Sequence, residues 1–384
     1  MREHWSLDPG LVYLNHGSFG AVPRVTQQAQ HRLQSEAEAN PMRWFRDLPA
    51  RLVDIRDTVG RFLGVTGDDV ALIPNATSGI NVALRSLRMV PGQRLVLTNH
   101  AYGGVLLAAD RIAAERGCEV VLVDLALDAG DDEVLASLDD VVDETTAVIV
   151  IDQITSPTAK LMPVERVAEL GRERGVPVIV DGAHAPGLVD DPVVGDMWTG
   201  NLHKWPCAPR GTGVLYVAPH RRTDVFAPVV SWEVDQGFPV AFDAPGTTDA
   251  TGWVATPSAL ELLDTLAFAD RRKDLGELVS VGAEVVAEAV GGAVVDVGTP
   301  APTMRLVALP DGLVTDTAGA LRLGAQLAAT TGVEVAPQSW RGLGFLRLSA
   351  HLYNTPDDYT DAAARFAPVF ADFEVLAAVI RADL

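Results

Sequence analysis

The stretch Val176-Pro-Val-Ile-Val-Asp-Gly-Ala-His-Ala-Pro-Gly187 decides the fold of this 384-residue chain. Its first five residues are apolar without alternation, which is typical of a strand buried on both faces of a sheet. Asp181 follows that run directly, and small residues come after it. Five further short runs rich in apolar residues predict strands, at residues 70–73, 94–98, 119–123, 147–151 and 213–217.

Longer amphipathic segments separate these runs and predict helices between the strands. The alternation predicts a mostly parallel sheet with helices on both faces, and in such sheets ligands bind at the carboxyl ends of the strands. After about residue 255 the pattern changes to long helical stretches, at 256–274, 275–290 and 317–331, mixed with short strands. We therefore predict an N-terminal segment (1–20), a large domain (21–255) and a smaller C-terminal α/β domain (256–384).

Composition excludes several classes of protein. The 51 acidic and 30 basic residues give a net charge of −21, and a surface of that sign repels nucleic acid and anionic lipid. Two cysteines, Cys118 and Cys207, cannot form a disulfide framework, and no cysteine–histidine cluster has the spacing of a zinc site. The first residues lack the apolar run of an export signal. We expect a cytoplasmic protein that binds no metal, nucleic acid or membrane.

The first chemically informative strand end is Ile-Pro-Asn-Ala-Thr-Ser-Gly-Ile, at residues 73–80. Here a strand runs into small polar residues and then into a helix. The free backbone amides of such a turn, together with the positive end of the helix dipole, suit a phosphate group. An ordinary helix cap on Asn75 or Thr77 is the alternative interpretation.

Two other strand ends carry ionisable groups. Asp181 ends the buried run, although an aspartate there is also common as a turn residue. Lys204 lies between His203 and Trp205; a lone lysine is commonly a solvated surface charge, but one kept from water has a lowered pKa and can form a Schiff base. A phosphate turn, a carboxylate and a lysine are together what pyridoxal phosphate needs, for its phosphate, its ring nitrogen and its aldehyde.

The strings VDGAHAPG, NLHKW and GTGVLYV resemble the fold-type I pyridoxal phosphate enzymes of aminotransferase class V. Within that class, YLNHGSFGAVP, EANPMRWF and FLRLSAHLYNT are most similar to the isopenicillin N epimerase-like branch. The resemblance spans almost the whole chain. It implies an α/β fold with a large domain around a mostly parallel, seven-stranded sheet, a smaller C-terminal α/β domain, and pyridoxal 5′-phosphate as the cofactor.

The resemblance also implies catalytic roles for Lys204, which would form the Schiff base, Asp181, which would face the ring nitrogen, and His184, which would lie beside the ring. The further cofactor contacts that it implies are Asn75, Ala76, Thr77, Tyr102, Ser156, Asn201, His203 and Thr247. Among these, Ala76 and Thr77 would hold the phosphate with help from His203.

Four residues have implied roles around the ring and the substrate. Tyr102 would cover the exposed ring face, with His100 as the second choice for that role. Ser156 would hydrogen-bond the phenolic oxygen of the ring. Arg347 would grip the α-carboxylate of an amino acid substrate in a bidentate fork, and Asn15 would also contact the substrate; taken alone, Arg347 has a structural salt bridge as its alternative role.

Two departures from the family pattern matter. Asn201 stands where many relatives have serine or threonine, so an amide would replace one hydroxyl contact with the phosphate. Gly246-Thr247-Thr248-Asp249 lacks the arginine that the epimerase has in this segment, which suggests a different distal group on the substrate. In relatives this segment reaches the neighbouring subunit's phosphate, so Thr247 implies a homodimer.

The reaction itself stays open among several outcomes of proton removal at Cα. We favour carbon–sulfur β-elimination of a cysteine S-conjugate in specialised metabolism, such as antibiotic biosynthesis. Epimerisation is the first alternative, and transamination or decarboxylating deamination is the second. Desulfuration is disfavoured because Cys207, three residues after Lys204, is expected to pack within its loop. A module that binds the cofactor without catalysis is disfavoured because both Lys204 and Asp181 are present.

Overall fold

A computed structural model describes residues 1–381 of the chain. Its strands, in chain order, are β1 (Val12–Tyr13), β2 (Val70–Ile73), β3 (Arg94–Thr98), β4 (Glu119–Val123), β5 (Thr146–Asp152), β6 (Val178–Gly182), β7 (Met197–Asn201), β8 (Gly213–Val217), β9 (Met304–Ala308), β10 (Val333–Glu334), β11 (Ala336–Trp340) and β12 (Leu343–Ser349). Its α-helices are α1 (Arg24–Ala39), α2 (Pro41–Leu63), α3 (Ala76–Ser86), α4 (Gly103–Arg116), α5 (Asp131–Asp139), α6 (Val164–Arg174), α7 (Thr251–Thr265), α8 (Phe268–Val290), α9 (Thr317–Thr331), α10 (Pro356–Phe370) and α11 (Phe373–Arg381).

The chain forms two compact units. The larger unit comprises Val22–Thr155 and Met162–Leu266, and the smaller one comprises Met1–Ala21, Ser156–Leu161 and the chain from Ala267 onward. None of the described helices combines the length and the apolar character that crossing a bilayer requires.

A seven-stranded sheet, counted over the described residues, forms the centre of the larger unit. Its strand order is β2-β8-β7-β6-β5-β3-β4. β8 is antiparallel to both of its neighbours, and all the other pairings are parallel. The carboxyl ends of β3, β5, β6 and β7 therefore meet at one edge of the sheet, as the sequence predicted.

Apolar residues on both faces of this sheet explain why the strands lack polar alternation. Ile149 and Ile151 of β5 pack into a core with residues of α2, α5 and α6. Val148 and Val150 of the same strand pack into a second core with α3 and α4. Each strand thus contributes to two helix layers, which confirms the predicted α/β class with a mostly parallel, seven-stranded sheet.

The smaller unit contains two further sheets. β1 pairs in parallel with β10, and β11-β12-β9 form an antiparallel sheet. The predicted helix break between residues 274 and 275 is wrong. The chain instead breaks at Ala267, which adopts a left-handed φ of 52° between α7 and α8. No glycine or proline marks this break in the sequence, so local propensity gave no sign of it.

Candidate active site

Lys204, His184 and Asp181 form a cluster at the carboxyl edge of the sheet in the larger unit. Lys204 Nζ lies 3.0 Å from His184 Nε2. His184 is presented by a tight turn after β6, in which the Ala185 N–H donates to the Gly182 carbonyl at 2.8 Å. A second turn, closed by the Cys207 N–H on the Lys204 carbonyl at 2.9 Å, shapes the loop after β7. Two loops on neighbouring strands thus bring an amine and an imidazole into hydrogen-bonding distance.

Asp181 lies within β6 and is buried. Its Oδ1 accepts the Ala183 N–H at 2.9 Å. Burial raises the pKa of Asp181, while the Ala183 hydrogen bond and the positive charge of Lys204 act in the opposite direction. A buried carboxylate needs an opposite charge beside it, and a protonated ring nitrogen is a group of that kind.

A second carboxyl group, which was not predicted from the sequence, lies at this edge. Asp152, at the end of β5, is the Cα partner of Asp181 in the parallel β5–β6 pair. It is buried, and its Oδ1 accepts the Tyr102 N–H at 3.3 Å. Burial and the negative charge of Asp181 raise the pKa of Asp152 well above its usual value. The sequence does contain a signal for this second acid, because Asp152 ends an apolar run just as Asp181 does.

The predicted phosphate turn lies at the start of α3. Asn75 caps the helix, with Oδ1 accepting the Ser78 N–H at 2.9 Å, and Asn201 Oδ1 accepts the Ala76 N–H at 2.8 Å. The Thr77 N–H has no hydrogen-bond partner among the described residues, and Thr77 is exposed. Of the two residues of this turn predicted to hold the phosphate, Ala76 and Thr77, only Thr77 therefore has an amide without a partner among the described residues.

Two glycines allow this turn to approach the sheet closely. A Cβ on Gly79 would lie 2.1 Å from Thr199 Oγ1 on β7. A Cβ on Gly213, at the start of β8, would lie 2.7 Å from the Asn75 Cα. Since real Cβ atoms do not approach other atoms so closely, side chains at these positions would push the amino end of α3 away from the strand ends.

His203 is held in a neutral form beside Lys204. Its Nδ1 lies 2.9 Å from the Thr212 carbonyl oxygen, so this nitrogen is the one that carries a proton. Burial lowers the pKa of His203 to about 4, and the charges of Lys204 and Arg210 act in the same direction. His203 could donate to a phosphate from Nε2 only after the phosphate's charge had raised this pKa.

Tyr102 and Thr247 are exposed, as Thr77 is. The Tyr102 ring is 45% exposed, whereas its alternative, His100, is fully buried. The ring packs over Gly104, where a Cβ would lie 2.7 Å from Tyr102 Cε1. Thr247 is exposed in a loop that is anchored by an ion pair between Arg56 and Asp243. The exposure of Thr247 is compatible with a contact to another subunit.

Arg347 is the most unusual charge in the smaller unit. Its guanidinium is buried, and it donates to the Ser156 carbonyl at 2.6 Å, to Ser156 Oγ at 3.2 Å and to Ser18 Oγ at 2.8 Å. No described carboxylate pairs with it, and burial lowers the pKa of Arg347 to about 10. A buried cation with only neutral partners is an open site for an anion.

Ser156 and Asn15 also belong to the smaller unit. The Ser156 hydroxyl, predicted to bind the ring's phenolic oxygen, contacts Arg347. Asn15 donates from Nδ2 to the Val335 carbonyl at 3.3 Å. Its Oδ1 is buried and has no hydrogen-bond partner among the described residues, which leaves an acceptor for a further donor.

Known proteins resemble this chain in sequence over most of its length. A family model described as aminotransferase class-V matches residues 12–360. An isopenicillin N epimerase of Streptomyces clavuligerus is 29% identical over 380 aligned positions, which cover 93% of this chain and 94% of that protein. A probable chloroplastic L-cysteine desulfhydrase of Arabidopsis thaliana is 27% identical over 397 positions, which cover 92% of this chain and 81% of that protein.

Among solved structures, the fold is similar to that of C-DES, captured as a lysine-to-alanine mutant with glycine covalently linked to its pyridoxal phosphate cofactor. The TM-score is 0.82 with 18% sequence identity, over 96% of this chain and 99% of that one. A second structure of C-DES, described as a cystine C-S lyase in complex with its product cysteine persulfide, gives a TM-score of 0.80 with 18% identity, over 94% of this chain and 98% of that one.

Proposed function

The chain belongs to the aminotransferase class-V family of pyridoxal phosphate enzymes, and from this premise we propose that it catalyses β-elimination at the carbon–sulfur bond of a cysteine S-conjugate. The observation that carries the proposal is the cluster of the larger unit, in which the Lys204 amine lies 3.0 Å from His184 beside the buried Asp181. Relatives named for cysteine desulfhydration and for cystine C-S cleavage favour sulfur as the leaving group.

The residues of the larger unit fit the cofactor. Bound pyridoxal phosphate supplies an aldehyde that links covalently to amines and a protonated ring that withdraws electrons from the bonds at the substrate's Cα. Asp181 supplies the carboxylate for the ring nitrogen, and the Thr77 amide at the start of α3 supplies a phosphate donor. Tyr102 supplies an exposed aromatic ring at the same sheet edge.

Lys204 is the base that removes the Cα proton once it is free of the cofactor. A lysine amine accepts a proton only in its neutral form. His184 Nε2, at 3.0 Å, holds the amine in place and can exchange a proton with it. No further ionisable group is needed for elimination, because the leaving thiolate departs from the same activated substrate.

Arg347 binds the substrate's α-carboxylate in this proposal. Its planar guanidinium makes parallel hydrogen bonds to a carboxylate and neutralises its charge. Ser18 and Ser156 fix the orientation of the guanidinium through hydrogen bonds at 2.8 to 3.2 Å. We propose further that the enzyme is a cytoplasmic homodimer, with Thr247 approaching the partner's phosphate.

Epimerisation of an amino acid is the second candidate, since the epimerase of S. clavuligerus aligns over 93% of the chain. One experiment separates the two functions. The purified enzyme is incubated in heavy water with a cysteine S-conjugate or with an amino acid that lacks a leaving group. Elimination yields thiol, pyruvate and ammonia from the conjugate only. Epimerisation instead returns deuterated amino acid of inverted configuration without thiol, and that result would overturn the proposal.

A further inference from the structure

Asp152 and Asp181 form a pair of buried carboxyl groups on neighbouring strands. They are Cα partners in the parallel β5–β6 pairing, and such partners lie about 5 Å apart and point to the same face of the sheet. Both side chains are almost fully buried, at 3% and 4% exposed. The strand pairing therefore places two acids of like charge side by side and away from water.

Two ionised carboxylates in such a position repel each other, and one of them takes up a proton instead. The hydrogen bonds indicate which one. Asp181 accepts the Ala183 N–H at 2.9 Å, whereas Asp152 accepts the Tyr102 N–H at the longer distance of 3.3 Å. Asp152 Oδ2 is buried without a hydrogen-bond partner among the described residues, and burying a proton there costs far less than burying a charge.

We propose that Asp152 is a positioning residue that stays un-ionised beside Asp181, so that the pair presents one negative charge, on Asp181, to the ring nitrogen of the cofactor. Asp152 Oδ1 meanwhile holds the backbone of Tyr102, which carries the exposed ring. The groups that act on Asp152 come from three other elements: Asp181 of β6, Lys204 in the loop after β7, and the Tyr102 amide at the start of α4.

The charge balance explains why one of the two acids should be neutral. A single carboxylate matches a single pyridinium charge, whereas two would leave one buried anion without a counter-charge on the ring. This inference rests on the proposed placement of Asp181. It adds that the neighbouring acid must be neutral for that placement to work.

The two acids offer matched variants for a test on the holoenzyme. Asp152→Asn is neutral, like the un-ionised acid, and keeps an Oδ1 acceptor for the Tyr102 N–H. We expect it to bind the cofactor within about threefold of wild type and to keep its visible absorption spectrum. Asp181→Asn removes the charge that faces the ring and should weaken cofactor binding by at least about tenfold.

Infrared spectroscopy reports the proton directly. An un-ionised carboxylic acid has a carbonyl stretch above the amide band that a carboxylate lacks. The wild-type holoenzyme at neutral pH should show this band, and Asp152→Asn should lose it. If Asp152→Asn fails to fold, Asp152→Ser serves the same purpose, because it also lacks the carboxyl group.

Three outcomes decide the matter. An infrared band that survives the removal of Asp152, or a loss of cofactor in Asp152→Asn as large as in Asp181→Asn, would overturn the inference, since Asp152 would then act as a second carboxylate. Loss of the band in Asp152→Asn with normal cofactor binding by both variants would support the proton on Asp152 and would refute the role proposed for Asp181 instead.

Discussion

At the scale of single residues, one buried charge has no counter-charge among the described residues. Arg347 is buried with serine oxygens and a carbonyl as its hydrogen-bond partners, and a protein gains no stability from such a charge. In the proposed function, the α-carboxylate of the substrate supplies the missing anion. The structural salt bridge that was the alternative role of Arg347 is not found among the described residues.

The first prediction tests this role of Arg347. Arg347→Lys keeps the charge but loses the planar fork, so KM for the amino acid should rise at least about tenfold, or about 1.4 kcal/mol, while the cofactor spectrum is unchanged. Arg305→Lys is the matched control, because Arg305 lies on the adjacent strand opposite Leu348 and also donates only to oxygens of neutral groups. Equal rises in KM for both variants would assign Arg347 to the fold.

The second prediction concerns Lys204 and exploits the rarity of lysine. The chain has three lysines, Lys160, Lys204 and Lys273. Borohydride reduction of the holoenzyme followed by peptide mapping should find the cofactor on Lys204 alone. Lys204→Ala should lose this attachment and all turnover, and Lys273→Ala, at an exposed position, should lose neither. A label on Lys160 in the wild-type protein would contradict the assignment.

At the scale of elements, the strands were largely predictable, because burial on both faces leaves apolar runs. β2, β3, β4 and β8 match their predicted bounds, and β5 begins and ends one residue outside them. β7 escaped prediction since its sequence, Met-Trp-Thr-Gly-Asn, combines a glycine and an asparagine that strands usually lack. Tertiary packing overrides propensity there: Trp198 is completely buried.

The active-site elements show the same division. The sequence predicted a lysine, an aspartate and a helix start at strand ends, and the structure brings Lys204 and His184 into contact. The sequence could not show that Asp152 stands beside Asp181, because strand register depends on packing and not on spacing along the chain. It also gave no indication that Asn201 would bind the Ala76 amide, 125 residues away.

The third prediction tests the close packing of α3 on β7. Gly79→Ala places a methyl group 2.1 Å from Thr199 Oγ1 and 2.8 Å from Ile73 Cδ1, so we expect a loss of about 1 to 3 kcal/mol of stability. The displaced helix start should also weaken cofactor binding. Gly103→Ala, in the first turn of α4, meets no atom within 4 Å and should change neither quantity. Equal denaturation midpoints for the two variants would contradict the packing argument.

At the scale of the whole molecule, the 51 acidic residues behind the net charge of −21 include both buried and surface acids. Asp152, Asp181 and Asp243 all have a pKa raised mainly by burial, so the fold opposes their ionisation. Acids on the surface behave in the opposite way. Asp143 has its pKa lowered to about 2 by hydrogen bonds from Thr145 and by Arg94. The pH dependence of stability therefore distinguishes buried acids from surface acids.

The last prediction follows from the sign of these shifts. The raised pKa of Asp152 means that the contribution of this residue to the stability of the wild type is fully present below the unfolded value of 3.8 and is lost as the pH rises through the folded value. Asp152→Asn has no proton to lose, so its melting midpoint should gain on that of the wild type as the pH rises above 3.8. Asp143→Asn should shift the other way, because the lowered pKa of Asp143 stabilises the wild type above pH 3.8 and that contribution is lost on acidification. Midpoints measured from pH about 2 up to neutral pH for the three holoenzymes would decide it. A difference between Asp152→Asn and wild type that does not vary with pH would mean that Asp152 titrates as an ordinary exposed acid.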